Sequence, residues 1–271
     1  MARVTDKNYY MEEKLKEKLD LCVARCTGEK KLDNLIIVDG DEGIGKTTFA
    51  IQCAYYMAQQ SKRSFSVDNV FFDLDKMFEY VRTTTDKVIV WDEAALGGLS
   101  TDWRNEQQRT LIKLLMVARK KRHIYIFNIP KFFKLNEYLI VDRSIALIHI
   151  YARREIEQGR FCYYKKSSKE RLFYDRLRTR QRNYKRYYDF HGSFPNVLGQ
   201  LINEEEYERK KDEAILSIGI NKERNKWKEK VIDYQTRLAK SDINKELLAE
   251  TLGISLRTVY NWVERGDAPL K

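Results

Sequence analysis

Long apolar stretches are absent from this 271-residue sequence, since no uninterrupted run reaches the ~18 residues that a membrane-spanning helix needs. The start of the chain, Met1–Lys14, is charged and lacks the apolar stretch of a signal peptide. Cysteine is scarce, and the four that occur fit a reducing compartment. Cys22 and Cys26 are close in sequence but lack the second Cys/His pair of a zinc site. We therefore expect a cytoplasmic protein, in the host cytoplasm if the chain is viral, with no membrane span.

Positive charge is abundant and unevenly distributed. The formal net charge is +11, but residues 113–188 alone hold 21 Lys/Arg against 6 Asp/Glu, so the remainder is net negative. Within Lys165–Tyr188, aromatic residues alternate with Arg and Lys. Such a segment can follow the phosphates of a nucleic acid and stack on its bases. A solvated helix face is the alternative, and an anionic membrane surface would require a stronger apolar face than this segment has.

Apolar runs alternate with helical patterns along the first two thirds of the chain. Strands are predicted at 34–39, 70–73, 87–91, 123–128 and 144–151, with a hairpin partner for the last at 160–165. Helices are predicted at 8–26, 47–59, 74–82 and 106–120. This alternation predicts an α/β fold in which a parallel sheet is covered by helices on both faces. We expect this domain to span residues 1–190, followed by a charged helical connector at 191–239 and a small helical domain at 240–271.

The segment Gly40–Thr47 matches G-x-x-x-x-G-K-[ST] in full, after a predicted strand and before a predicted helix. Glycines allow the backbone to curl so that its N–H groups face phosphate oxygens, and the helix start adds a positive dipole. Lys46 is predicted to contact the β- and γ-phosphates, Thr47 to bind Mg²⁺ and Thr48 to contact the α-phosphate. The predicted ATP-binding residues are Gly40, Asp41, Glu42, Gly43, Ile44, Gly45, Lys46, Thr47 and Thr48.

The strand at 87–91 runs into Asp92 and Glu93. Carboxylates at the carboxyl end of a buried strand face the crevice in which such sheets bind ligands. Asp92 is therefore predicted to hold Mg²⁺ together with Thr47, and Glu93 to act as general base on the attacking water. An exposed acidic turn is the alternative, which the upstream phosphate loop disfavours.

Two further catalytic roles are predicted. Asn128, at the end of the fourth strand, would position the lytic water or sense the γ-phosphate, unless it only caps the turn before Pro130. An arginine near the transferred phosphate accelerates such reactions. Arg119, Arg122 and Arg143 flank the sheet at strand starts, from which each could reach the nucleotide of a neighbouring subunit. Arg143 is our favoured candidate, and the alternative for each is a nucleic-acid or surface role.

The chain ends in a helix-turn-helix pattern over residues 243–266. Gly253 permits a tight turn, and Ser255 is placed to cap the second helix. The pattern resembles the DNA-binding unit of small regulators and recombinases, in which the second helix enters the major groove. The predicted DNA-binding residues are Ser255, Leu256, Arg257, Tyr260, Asn261 and Arg265. A helical hairpin that packs on a partner protein is the alternative.

Over residues 33–155, the phosphate loop, the Asp92-Glu93 pair and the polar end of the next strand resemble the additional-strand P-loop ATPases. Within that class the chain looks most like FtsK/HerA-type DNA translocases, viral packaging ATPases and zonula-occludens-toxin-like phage proteins. Asn128 stands where those relatives often have Gln. The resemblance implies ATP and Mg²⁺ as cofactors, DNA as partner, and a ring-shaped homo-oligomer such as a hexamer. It implies a DNA motor, with an ATP-switched replication or transposition loader and an ATP-gated transcription regulator as alternatives.

Overall fold

The structure is a computed structural model that describes residues 3–4, 9–29, 32–92, 101–153, 157–216 and 245–265. The chain divides into two compact units, Met1–Ala214 and Ile215–Lys271. None of the helices in the described ranges is long and apolar enough to cross a membrane.

The first unit contains a seven-stranded sheet within the described residues. A short pair, β1 (Arg3–Val4) and β2 (Tyr9–Tyr10), stands apart from it. The strands of the main sheet are β3 (Asn34–Gly40), β4 (Val70–Phe71), β5 (Val88–Asp92), β6 (Ile124–Ile129), β7 (Ala146–Arg153), β8 (Glu157–Lys165) and β9 (Phe190–Ser193). Their order is β4-β5-β6-β3-β7-β8-β9; the first five are parallel, and β8 and β9 are antiparallel additions. The predicted α/β fold of the P-loop type is confirmed.

Helices cover both faces of this sheet. They are α1 (Glu13–Thr27), α2 (Lys46–Gln60), α3 (Leu74–Thr83), α4 (Thr101–Val117), α5 (Lys166–Thr179) and α6, which comprises residues 204–216. Alternate residues of β3 belong to different cores: Ile36 and Val38 pack with α1 and α2, while Leu35 and Ile37 pack with α3, α4 and α5. Because both faces are covered, β3 is buried along its whole length, which explains the uninterrupted apolar run from Leu35 to Val38.

The first unit extends further than the predicted boundary at residue 190. Residues 190–193 form β9, which pairs with β8 from Arg160↔Ser193 to Tyr163↔Phe190. Farther along, Phe194, Leu201 and Tyr207 are buried in the same core as α1 and α2. The sequence HGSFP at residues 191–195 interrupts the strand–helix alternation. A four-residue edge strand can still form there, because it pairs with one neighbour only and needs no long apolar run.

The described part of the second unit is a helical hairpin of α7 (Lys245–Leu252) and α8 (Leu256–Arg265). Gly253 adopts the left-handed conformation at the turn, with φ of 63°. The Ser255 side chain caps α8 by accepting a hydrogen bond from the Thr258 N–H at 3.2 Å. Ala249 and Val259 form a small buried core between the two helices.

Candidate nucleotide site

The phosphate loop connects β3 to α2 and is built on glycines with positive φ. These angles are 145° at Gly40, 76° at Gly43 and 89° at Gly45. A side chain at Gly40 would also collide with the carbonyl of Ile150 on β7, because the loop starts close to that strand. The loop therefore curls directly into the amino end of α2, where free backbone N–H groups favour an anion. Asp41 and Glu42 are exposed, Ile44 packs on the core, and Thr48 is half-buried in the first turn of α2.

Lys46 is buried at the centre of the loop, with 5% of its surface exposed. Its Nζ donates a hydrogen bond to the carbonyl oxygen of Asp41. Burial lowers the pKa of Lys46, and the nearby carboxylates of Asp92 and Asp39 oppose that shift. A buried ammonium group that bonds a loop carbonyl oxygen and lies in the field of two carboxylates suits the β- and γ-phosphates of a nucleotide.

Three predicted residues meet at the carboxyl edge of the sheet. Thr47 Oγ1 donates to Asp92 Oδ2 at 2.6 Å, while Asn128 Nδ2 lies 3.0 Å from Asp92 Oδ1 and 2.9 Å from Thr47 Oγ1. Strand β6 is inserted between β3 and β5, and its register places Asn128 opposite both Asp92 and Val38. The additional strand thus brings a polar side chain between the phosphate loop and the acidic strand.

The oxygen atoms in this cluster fit a magnesium ion. Mg²⁺ prefers oxygen ligands and is commonly held by one or two carboxylates, waters and substrate phosphates. Asp92 and Asn128 are 2% and 0% exposed, and Asn128 Oδ1 is a buried acceptor without a hydrogen-bond partner in the described part of the chain. An orphaned buried acceptor beside a hydroxyl and a carboxylate suits a metal-bound water. Glu93, the predicted general base, lies outside the described residues.

Arg143 does not join this cluster. It is 7% exposed, forms an ion pair with Asp33 and donates a hydrogen bond to the carbonyl oxygen of Leu115. Asp33 precedes β3, so the pair lies at the amino edge of the parallel strands, opposite the phosphate loop. Arg143 is thus held in a buried ion pair within its own chain, and its predicted role at the nucleotide of a neighbouring subunit stays a prediction. Arg122 is bound to Asp86 at the same edge, and Arg119 donates to the Tyr138 hydroxyl.

The sequence analysis missed a segment that packs on the phosphate loop. Gln52, on α2, donates to the carbonyl oxygens of Pro195 and Val197 at 2.7 and 3.0 Å. The Asn196 side chain lies so close to Gly45 that a Cβ there would collide with it. Tyr207 is hydrogen-bonded to Thr47, and burial raises its pKa. The residue that could have indicated this segment is Gln52, because a polar side chain on a buried helix face must have a hydrogen-bond partner.

The predicted DNA-binding side chains divide into two groups. Ser255, Arg257, Tyr260 and Asn261 are exposed, and the last three are spaced to share one helix face. Leu256 instead packs on the core of the hairpin, so its predicted place on the reading face is corrected. It lies three residues before the buried Val259 and therefore faces the same way. The Arg265 side chain lies outside the described residues.

Comparison with protein families gives one match. The model of a family described as Novel STAND NTPase 3 matches residues 26–140. This chain is a nucleoside triphosphatase, as predicted. The matched range contains the phosphate loop, Asp92 and Asn128. No curated protein sequence matches the chain.

Solved structures that resemble the chain are P-loop proteins of low sequence identity. A KaiC-like protein from Pyrococcus horikoshii OT3 is 17% identical, over 49% of this chain and 78% of its own, with a TM-score of 0.35. The genome packaging NTPase B204 of Sulfolobus turreted icosahedral virus 2, in complex with ATP-gammaS, is 12% identical, over 50% and 94%, with a TM-score of 0.35. The AAA domain of FIGL-1, in complex with ADP, is 18% identical, over 64% and 76%, also with a TM-score of 0.35.

Proposed function

We propose that this nucleoside triphosphatase uses ATP and Mg²⁺ to drive a DNA motor of the translocation or packaging type, working as a ring-shaped homo-oligomer. The observation that supports DNA binding is a basic surface on the same unit as the nucleotide site. This basic surface consists of the last residue of β8, α5 and the loop after it, and its exposed members are Lys165, Lys166, Arg171, Arg178, Arg180, Arg182, Lys185 and Arg186.

Few acidic side chains offset this basic surface. Residues 165–188 contain two acids, Glu170 and Asp175, and Asp175 is buried and paired with Arg178 and Arg186. Lys169 does not contribute to it, because the residue is fully buried and its Nζ donates to the carbonyl oxygen of Ile140. Burial lowers the pKa of Lys169 to about 8. Lys165 is paired with Asp189, just beyond this segment. The exposed side chains of Lys166, Arg171, Arg180, Arg182 and Lys185 can replace the counterions of a DNA backbone.

Aromatic side chains lie among these cations. Tyr174 is 48% exposed and Tyr187 39% exposed. Together with Arg171, Arg178 and the acids Glu170 and Asp175, they line a surface groove of about 450 Å³. Rings beside guanidinium groups suit the stacking of bases and the binding of phosphates along a strand. In the second unit, Arg257, Tyr260 and Asn261 offer a second contact face that would select or recruit the DNA.

In this proposal each residue of the nucleotide site has its own role in hydrolysis. Lys46 and the backbone N–H groups of the loop hold the phosphates, and Asn128 orients the attacking water. Glu93 takes a proton from that water. Mg²⁺, held by Thr47 and Asp92, would neutralise charge on the β- and γ-phosphate oxygens.

A triplex-displacement assay tests the motor. We expect the wild-type protein to displace a triplex-forming strand from duplex DNA only when ATP is hydrolysed, and Lys46→Ala to lose both hydrolysis and displacement. Lys14→Ala, an exposed lysine on α1, is the matched control and should behave as wild type. ATP hydrolysis without displacement would exclude the motor. The mass of the assembly with an ATP analogue and DNA, measured after cross-linking, tests the ring.

A second candidate is an ATP-gated DNA-binding regulator. The contacts of Asn196 and Tyr207 with the phosphate loop favour it, because α6 continues from this segment to the boundary of the second unit at residues 214–215. A regulator would protect one DNA site in a footprinting experiment, and its occupancy would differ between ATP and ADP without strand displacement. An ATP-switched loader would release the DNA after a single turnover.

A further inference from the structure

Asp39 is a buried carboxylate that the proposed chemistry does not use. It is 1% exposed and lies on β3 directly before Gly40, the first residue of the phosphate loop. A buried carboxylate is costly unless hydrogen bonds and charge compensate for its lost hydration. Its presence at the base of the loop therefore requires an account of its partners.

Three groups satisfy the carboxylate. His149 Nδ1, on the neighbouring strand β7, lies 3.0 Å from Asp39 Oδ1. The Phe132 N–H donates to Asp39 Oδ2 at 3.3 Å, and the Tyr184 hydroxyl donates to the same oxygen. The negative charge of Asp39 also acts on Lys46, where it opposes the loss of the proton that burial favours. Asp39 thus lies between Tyr184 and the lysine that contacts the phosphates.

Tyr184 belongs to the loop after α5, within the basic surface. Its ring stacks on His149 with a centroid distance of 3.6 Å and an interplanar angle of 1°, and it also contacts Phe133. Its carbonyl oxygen accepts a hydrogen bond from the buried Tyr164. On either side Arg182, Lys185 and Arg186 are exposed. The hydroxyl of Tyr184 is therefore a direct link between an exposed cationic loop and the base of the phosphate loop.

We propose that Tyr184 and Asp39 are positioning residues that couple DNA on the basic surface to nucleotide binding at Lys46. DNA that binds Arg182, Lys185 and Arg186 shifts the loop that carries Tyr184. This shift changes the hydrogen bonds of Asp39, and with them the electrostatic potential at Lys46. Coupling between two binding sites is reciprocal, so nucleotide must alter the affinity for DNA by the same factor. This inference rests on the proposed function, because it requires the basic surface to bind DNA.

The variant Tyr184→Phe tests the link, because it keeps the ring on His149 and Phe133 and removes only the hydroxyl. The dissociation constant of a fluorescent, non-hydrolysable ATP analogue is measured with and without a saturating duplex oligonucleotide. For the wild type we expect DNA to change this constant by about fivefold or more, the usual range for coupled sites. For Tyr184→Phe we expect the change to fall to less than about twofold while DNA affinity stays the same.

A purely structural tyrosine would alter stability or both affinities but leave their coupling intact. Tyr80→Phe, on α3, removes a hydroxyl that accepts a hydrogen bond from Asn69 Nδ2 and belongs to neither binding site; it is the matched control and should retain the wild-type coupling. Should Tyr184→Phe fail to fold, His149→Phe replaces it, since this change also removes a polar partner of Asp39 and keeps a ring beside Tyr184. The inference is overturned if the folded variant keeps the wild-type coupling. It is also overturned if the wild-type protein binds DNA and nucleotide independently. Neither result overturns the proposed function. Absence of DNA binding overturns both.

Discussion

Each edge of the parallel sheet carries two described carboxylates, but their partners differ. At the amino edge, Asp33 is paired with Arg143, and Asp86 with Arg63 and Arg122. At the carboxyl edge, Asp39 and Asp92 face hydroxyl groups, an amide and an imidazole. One edge is neutralised by the protein itself. The other places Asp39 and Asp92 near the buried Lys46, in a setting that a metal–nucleotide complex can complete.

This difference separates a structural edge from a functional one. A guanidinium group beside Asp92 would satisfy the carboxylate permanently and compete with a metal ion for it. Hydroxyl and amide groups hold the carboxylate in place yet can exchange hydrogen bonds for metal coordination at little cost. Three predictions test the comparison.

The largest effect is expected at the amino edge, from Arg143→Ala. Removing one partner of a buried ion pair leaves Asp33 uncompensated, so the free energy of unfolding should fall by about 3–5 kcal/mol. Urea unfolding followed by circular dichroism measures this fall. The double variant Asp33→Leu/Arg143→Met removes both charges and should recover most of the stability. If Arg143→Ala instead abolishes hydrolysis at unchanged stability, the arginine acts on the nucleotide and the edges are not distinct.

The next effect is expected at the carboxyl edge, from Asn128→Ala. Loss of a side chain that orients metal ligands typically reduces metal affinity or activity about 10–100-fold. We therefore expect the Mg²⁺ concentration for half-maximal binding of a fluorescent ATP analogue to rise by this factor, with little change in stability. Asn128→Gln restores the amide on a longer chain and should recover part of the affinity. If Asn128→Ala leaves the Mg²⁺ concentration for half-maximal binding unchanged, Asn128 only caps the turn before Pro130.

Much of the first unit could be predicted because its signals are local. Apolar runs make up most of the strands β3, β5 and β6, as expected for strands covered on both faces. The phosphate loop is likewise specified by neighbouring residues. The predicted strand at 70–73 proves shorter, since β4 ends at Phe71 and Asp73 caps α3 through the N–H groups of Asp75 and Lys76.

What the sequence analysis missed depends on residues that are far apart in the chain. The contact between Gln52 and Pro195 spans 143 residues, and that between Asp39 and Tyr184 spans 145. No local pattern encodes such pairs. The ion pair between Arg143 and Asp33 spans 110 residues and is likewise not encoded by a local pattern. The predicted roles of Glu93 and Arg265 stay predictions.

The smallest effect concerns His123, also at the amino edge. The imidazole is fully buried, accepts a hydrogen bond from the Lys87 N–H at 3.1 Å, and has its pKa lowered by burial to about 4. The unfolded chain takes up this proton near pH 6.5, so stability is lost as pH falls from about 6.5 to 4. Uptake of one proton lowers the free energy of unfolding by at most about 1.4 kcal/mol for each pH unit in this range.

Urea unfolding at several pH values measures that slope. We expect His123→Gln to flatten it, whatever its effect on stability at neutral pH, whereas His191→Gln removes an exposed imidazole and should leave it unchanged. Equal slopes for the wild type and His123→Gln would mean that the buried ring takes up its proton in the folded state. The amino edge would then respond to acid through its ion pairs alone, and its burial would be less complete than the structure indicates.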